Sequence, residues 1–314
     1  MVIAGLARSR WMLTAAVCGL LASCANGPPS VPSPKPGIEQ PPAPETGPIR
    51  YTSSGHAGMD AWRDDFSNRA MAAGHDRALV KSLLEYISPM TLWLGAEVQT
   101  ATAPSAQAEF AKPIWDYLKV PMGATRISTG QAKLNALSPT LAAIEARYGV
   151  DRQAVLAIWG METSYGGFIG TDDAPNALAN MAVEGRRQKF AEDELYALMT
   201  IVEKGYARRD QLGSGWAGAM GQTQFMPSTY IAHAEDFDGD GKKDVWKSEA
   251  DALASAANYL AHSGYVKGQP WGLEVRLPDG FDYSLADGSE RRMETWMAAG
   301  LTPIIGGNFE TGGA

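Results

Sequence analysis

Histidine and cysteine are scarce, with four and two in 314 residues. So few imidazoles leave no room for a His-rich metal centre, and chemistry has to come from carboxylates, hydroxyls, amides and aromatics. Basic residues are also in deficit. A formal net charge of −8 with no basic tract disfavours nonspecific binding to nucleic acid, whose phosphates demand clustered Lys and Arg. Strictly alternating Val and Ile runs are rare, which argues against an extensive sheet. No internal repeat is visible. What remains is a 45% hydrophobic composition, enough to build a full-size core in one large domain or two smaller ones.

The first 24 residues read as a targeting segment. Arg8 and Arg10 precede the apolar stretch MLTAAVCGLLAS, which is too short and too closely followed by prolines for a comfortable membrane span. It ends in Leu21-Ala22-Ser23-Cys24, which resembles a bacterial lipoprotein signal in which Cys24 is lipidated; plain signal-peptidase cleavage is the alternative. Cys18 falls in the removed part, so no intramolecular disulfide can form even in an oxidising compartment. Residues 27–48 hold nine prolines and form a semi-rigid spacer. The expected layout is a signal at 1–24, a linker at 25–50, a folded domain at 51–304 and an atypical Gly-rich end at 305–314.

The spacing predicts helix from Met59 to about Leu94, through Trp62, Phe66, Met71, Val80, Leu83, Leu84 and Ile87. A loop is expected at 95–109, then an aromatic group of Phe110, Trp115 and Tyr117. A helix at 131–148 follows, and Asp151 is placed to cap the next one, which runs to about Thr163. Further helices are expected at about 177–204 and 248–263, with a short strand at 273–277. The fold class is mainly α, with a small β element (α+β).

Three constellations could carry chemistry. In VLAIWGMETSYGG, Val155, Ile158, Trp159 and Glu162 share one helical stripe, and an apolar setting raises a carboxyl pKa. A glutamic acid still protonated near neutral pH is what general-acid cleavage of a glycosidic bond requires. On these residues alone, a Glu paired with Arg186 or Arg187 is an equally open reading. Second, WAGAMGQTQFMPSTY at 216–230 combines amides and aromatics suited to sugars, or is a structural Gly-rich loop. Third, Asp236, Asp238, Asp240 and Asp244 occupy positions 1, 3, 5 and 9 of an EF-hand-like loop, with the Lys242 carbonyl at 7. Lys247 stands where a bidentate Glu belongs, so Glu249 or Asp251 would have to close the shell; a solvated acidic turn is the alternative.

The strings WGMETSYG, AGAMGQTQFMPSTY, DFDGDGKKDVW and ALASAANYL, in this order, resemble the membrane-bound lytic murein transglycosylase B family, over about Trp62 to Thr302. The segments at 107–118, 183–195 and 262–272 fit it too. The resemblance implies a goose-lysozyme-like helical core and a lyase that cuts the MurNAc-β-1,4-GlcNAc bond, leaving 1,6-anhydro ends. It implies Glu162 as the single catalytic acid and Gln224, Phe225, Tyr259 and, more loosely, Tyr117 as cleft residues; Gln222 is expected to bind substrate beside them. No cofactor is needed for chemistry, and a structural Ca2+ is expected on Asp236, Asp238, Asp240, Lys242, Asp244 and Asp251. The expected setting is a monomer acting on peptidoglycan strands, lipid-anchored to the periplasmic face of the outer membrane of a Gram-negative bacterium. Two departures stand out. Gly215 replaces a serine that commonly precedes the aromatic of WAGAMG, and GGNFETGGA stands where the family continues into a Tyr-Asn pair and further tyrosines. The second departure leaves open a non-catalytic murein-binding lipoprotein. A murein hydrolase is a further alternative, although the motifs show no second carboxylate for it.

Overall fold

A computed structural model describes residues 47–91, 114–119, 122–269 and 272–304. Cys24, the linker to residue 46, the expected loop at 95–109, Phe110 and the end at 305–314 lie outside the described residues. The described chain is mainly helical, as its spacing predicts, but three of the expected long helices are broken. Helix α1 (Ala57–Ala72) and α2 (Arg77–Leu84) replace the first one. The chain turns after α1, and Asp76 then opens α2 by accepting the Leu79 N–H at 3.0 Å. A short α3 (Ile114–Leu118) is followed by α4 (Ala124–Ala136) and α5 (Ser138–Tyr148), which part at Leu137 where Pro139 opens a new first turn. Helix α6 (Arg152–Thr163) agrees with the expected bounds.

Helices α7 (Ala174–Glu184) and α8 (Gln188–Glu203) part at Gly185, whose φ of 95° is a left-handed cap that a side chain would resist. Then come α9 (Pro227–His233), α10 (Glu249–His262) and α11 (Met293–Ala298). Strand is confined to two short antiparallel pairs. Asp172–Asp173 (β1) pairs with Gly213–Ser214 (β2), and Val275–Arg276 (β3) with Thr302–Pro303 (β4).

Two buried clusters hold the helices together. One gathers Phe66, Leu83, Leu178, Leu195, Met220 and Tyr230 from α1, α2, α7, α8, α9 and the segment before α9. The other gathers Leu141, Ile144, Val155, Trp159 and Leu253 from α5, α6 and α10. The glycine-rich segment 213–226 runs beside both. Met220 lies within it, bridging back to Ser214 and forward to Phe225.

Candidate active site

Helix α6 carries Glu162 one residue from its C-terminal end. Val155 and Trp159 of the expected stripe are fully buried beneath it, while Ile158 shares the surface with Glu162. Asp151 does sit at the N-cap position, but its carboxylate accepts from the Tyr265 hydroxyl (2.8 Å) and the Gly268 N–H (2.9 Å) instead of capping the helix.

The helix ends in an unusual turn. Ser164, Tyr165 and Gly166 all have positive φ, at 52°, 63° and 76°. For the two non-glycine residues this costs on the order of 1 kcal/mol each. Specific contacts offset the cost. The Tyr165 hydroxyl donates to the Arg126 carbonyl at 3.0 Å, and its ring meets Trp159 edge-on at 5.6 Å. That ring lies over Gly160, where an added Cβ would come within 2.6 Å of it, so the helix has glycine at this point for steric reasons. The Thr163 hydroxyl donates to the Gln222 carbonyl (2.6 Å) and accepts the Gly166 N–H (3.0 Å). The turn is thereby fastened to segment 213–226.

Opposite Glu162 that segment forms the other wall of a cleft of about 300 Å3. Ile158 and Glu162 of α6, Thr223, Gln224 and Phe225, and Ala256, Tyr259 and Leu260 of α10 all line it. Phe225 belongs to the first core and Ala256 to the second, so the cleft follows the seam between the two. Solvent reaches Glu162 along it, yet the walls remove enough water that desolvation raises its carboxyl above the ordinary 4.5. Among the described residues Glu162 has no hydrogen-bond or ion-pair partner. The two arginines that could have paired with it are engaged elsewhere: Arg186 with Glu184, and Arg187 over the Phe190 ring.

The other expected site residues divide. Gln224, with φ 52°, lines the cleft and donates its amide hydrogens to the Gly221 and Ile169 carbonyls at 3.0 and 3.3 Å, with its side-chain oxygen beside Gly215. Phe225 is 6% exposed and packs against Tyr259, ring centroids 6.0 Å apart. Tyr259 rests edge-on against His233 at 5.3 Å. Gln222, expected on the substrate surface, is instead 4% exposed and absent from the cleft wall. Its side-chain oxygen accepts the Trp159 indole N–H at 3.1 Å, which commits it to the buried side of the segment. Tyr117 lies on α3 and does not line the cleft. The sequence reading missed Thr223. It is 5% exposed, lines the cleft, and its hydroxyl has no protein partner. A small hydroxyl between two glutamines was the available signal.

The acidic loop is differently built. Oxygens of Asp236, Asp238 and Asp251 lie within 4.8 Å of one another. Asp251 is fully buried and accepts backbone N–H bonds from Phe237 (2.8 Å), Asp238 (3.3 Å) and Asp244 (2.9 Å). Asp240 and Asp244 stand outside this convergence. Asp240 accepts the Lys242 N–H and Asp244 those of Trp246 and Lys247; Asp236 and Asp238 take loop N–H bonds as well, from Gly239, Gly241 and Asp240, so it is the convergence of their oxygens with Asp251 that sets them apart. Glu249 is spent on Lys133, at 2.6 Å. Three converging carboxylates, one of them buried, are a donor set that suits a hard divalent cation.

With the geometry established, the chain can be set beside known proteins. The family described as transglycosylase SLT domain (SLT_2) matches residues 58–312. Membrane-bound lytic murein transglycosylase B of Escherichia coli (strain K12) is 35% identical over 164 residues, taking in 50% of this chain and 43% of that protein, so the match spans under half of the relative's length. The crystal structure of SltB3 from Pseudomonas aeruginosa in complex with NAG-anhNAM-pentapeptide superposes with a TM-score of 0.71 at 41% identity, covering 82% of this chain and 67% of that one. Escherichia coli Slt35 in complex with calcium gives a TM-score of 0.63 at 26% identity, covering 80% and 77%.

Proposed function

Since the chain belongs to the transglycosylase SLT domain family, we propose that it is a lytic transglycosylase of peptidoglycan, cutting the MurNAc-β-1,4-GlcNAc bond with formation of 1,6-anhydro-MurNAc ends. The observation that carries this reading is the cleft itself. It holds one carboxyl, open to solvent yet partly desolvated by the walls and without a partner among the described residues, and no second Asp or Glu among its described walls. A hydrolase would need that second carboxylate to act as nucleophile or to activate water.

Glu162, protonated, gives its proton to the glycosidic oxygen as the bond to C1 breaks. The resulting carboxylate takes the proton from the C6 hydroxyl as O6 attacks C1, which closes the anhydro ring and restores the acid. The nucleophile belongs to the same sugar, so effective molarity stands in for a second acid. In this reading Gln224 orients the acetamido group, Phe225 forms the floor, and Tyr259 and the Thr223 hydroxyl bound the ring. The support for a murein substrate is the NAG-anhNAM-pentapeptide held by SltB3. Incubation with purified sacculi followed by mass spectrometry tests it. Products lighter by one water than reducing sugars are expected; reducing ends would establish a hydrolase, and intact sacculi a binder.

In the same reading the 236–251 loop holds one calcium ion through Asp236, Asp238 and Asp251, and the ion's contribution is to stability. The calcium complex of Slt35 supports this. Chelation should lower the melting temperature by several degrees and leave kcat at 25 °C nearly unchanged; an unaltered melting curve with no calcium bound counts against it.

The anchor belongs to this reading as well. No described helix is long and apolar enough to cross a membrane. Lipidation of Cys24 would attach the domain to the periplasmic face of the outer membrane; the relative's name, "membrane-bound", supports attachment to a membrane. A Cys24→Ser protein that still fractionates with membranes would rule that out.

A further inference from the structure

We infer that Arg126 receives a carboxylate of the peptide stem carried by the muramyl residue, in a polar hollow beside the turn that follows Glu162. The inference rests on murein being the substrate. The hollow measures about 320 Å3 and is separate from the catalytic cleft, with no residue in common. Thr125, Arg126 and Thr129 of α4 form one side, and Ser164 and Tyr165 the other. It thus offers four hydroxyls, of which that of Tyr165 is already bonded to the Arg126 carbonyl, and one guanidinium.

The guanidinium is the informative group. Its one side-chain contact is the Ser164 hydroxyl at 3.4 Å, at the outer limit of a hydrogen bond, and it meets no carboxylate among the described residues. Several other arginines of this domain are matched, Arg69 to Glu192, Arg147 to Glu235, Arg152 to Glu145 and Arg209 to Asp173, and those that meet no carboxylate among the described residues, Arg50, Arg187 and Arg276, line neither the hollow nor the cleft. In a chain with 35 acidic residues against 27 basic ones, an arginine in a concave polar site without an acid has donors available. A planar fork of N–H donors flanked by hydroxyls suits a carboxylate, which it can bind through two parallel hydrogen bonds.

Position decides which carboxylate. Ser164 is two residues past Glu162, so their Cα atoms are at most about 7.6 Å apart. The hollow cannot drift from the cleft, because the Tyr165 hydroxyl is bonded to the Arg126 carbonyl at 3.0 Å. An extended peptide advances about 3.3 Å per residue, so a stem of a few residues leaving a sugar seated at Glu162 covers that distance. The glycan itself carries no carboxylate apart from its lactyl linkage to the stem, and in stem-bearing strands that group is an amide.

The test compares kcat/KM on soluble glycan strands bearing peptide stems with kcat/KM on the same strands stripped by an amidase. The wild type should prefer stem-bearing strands, Arg126→Gln should reduce that preference about tenfold, chiefly through KM, and Arg126→Lys should keep part of it. An unchanged preference in Arg126→Gln, or equal losses on both substrates, would overturn the inference while leaving the lyase reading intact. Should the wild type cut neither substrate, the lyase reading fails on its own. The inference is then decided by calorimetry of a stem-bearing disaccharide on wild type and Arg126→Gln, where equal affinities overturn it.

Discussion

Glu162 at the end of α6 and Asp251 in the first turn of α10 are both carboxyls that burial pushes above their ordinary pKa, and the protein holds them in opposite ways. Asp251 is sealed from solvent and surrounded by three backbone N–H donors, so its desolvation is answered by hydrogen bonds. Glu162 opens onto a cleft and receives no donor among the described residues. Desolvation alone therefore does not mark a proton-transfer group. Desolvation without donors, beside a space that a substrate can fill, does. One carboxylate organises a loop; the other is kept available.

The largest effect should come from exchanging that availability for an amide. Glu162→Gln keeps the shape and removes the titrating proton, and turnover should fall about 10²- to 10⁴-fold while murein binding survives in a pull-down. The descending limb of the wild-type pH profile should lie above the ordinary carboxylate range, since the acid must be protonated to act. Near-normal turnover in the variant would remove Glu162 from the chemistry. Asp251→Ala should do the reverse. It orphans three N–H groups, and roughly 3 kcal/mol of stability is at stake. Thermal unfolding should then come about 6–12 °C lower, with turnover at low temperature within a few-fold of normal. Loss of turnover without loss of stability would erase the contrast between the two carboxyls.

A smaller effect separates the two glycines after Glu162. Gly166, at φ 76°, has no room for a side chain, since a Cβ there would run into the Gln222 amide. Gly167 would place a Cβ 3.2 Å from the Ser164 carbonyl, with φ in the ordinary range. Gly166→Ala should cost about 1–3 kcal/mol and lower kcat by disturbing the turn, and Gly167→Ala should cost less on both counts. Equal costs, read by denaturant midpoints, would mean that the approach of Gln222 does not govern this turn. Gly166 is thus held by packing against Gln222.

Much of the site was legible because helical periodicity is local. Glu162 lies among Val155, Ile158 and Trp159 on a helix whose bounds the sequence located, although Asp151 bonds Tyr265 and Gly268 instead of capping it. The placement of Phe225 and Tyr259 at one cleft came from the resemblance, and the structure brings both to it. What escaped was set by contacts distant in sequence or by single dihedrals. Gln222 and Gln224 look alike in a string of residues, and it takes the contact of Gln222 with the distant Trp159 to show that only Gln224 lines the cleft. Gly130 and Gly160 read as helix-weakening residues until Tyr165 is seen to lie over both. The four aspartates at 236, 238, 240 and 244 suggested a shared shell, yet the oxygens that converge are those of Asp236, Asp238 and the distant, buried Asp251. The helix breaks at Leu137 and Gly185 were hidden because apolar spacing continues across them.

The smallest expected effect tests whether the lack of donors at Glu162 carries a cost. Its folded-state pKa is raised above the unfolded value near 4.5, so the native state binds that proton more tightly than the unfolded chain does. The resulting stabilisation is complete below the unfolded pKa and is lost as pH rises through the raised folded value. Above that value an ionised carboxylate stands in the cleft without a partner, a cost that glutamine does not carry. Glu162→Gln should therefore melt at the same temperature as the wild type in acid and slightly higher at neutral pH. The gain should be no more than about 2 °C, because solvent in the cleft screens the charge. The same pair of measurements on Asp251→Asn should show a loss at every pH, since an amide cannot accept three N–H bonds through two oxygens. A gain in Glu162→Gln that ignored pH would trace the difference to shape, and the cleft would then hold its acid at no electrostatic expense.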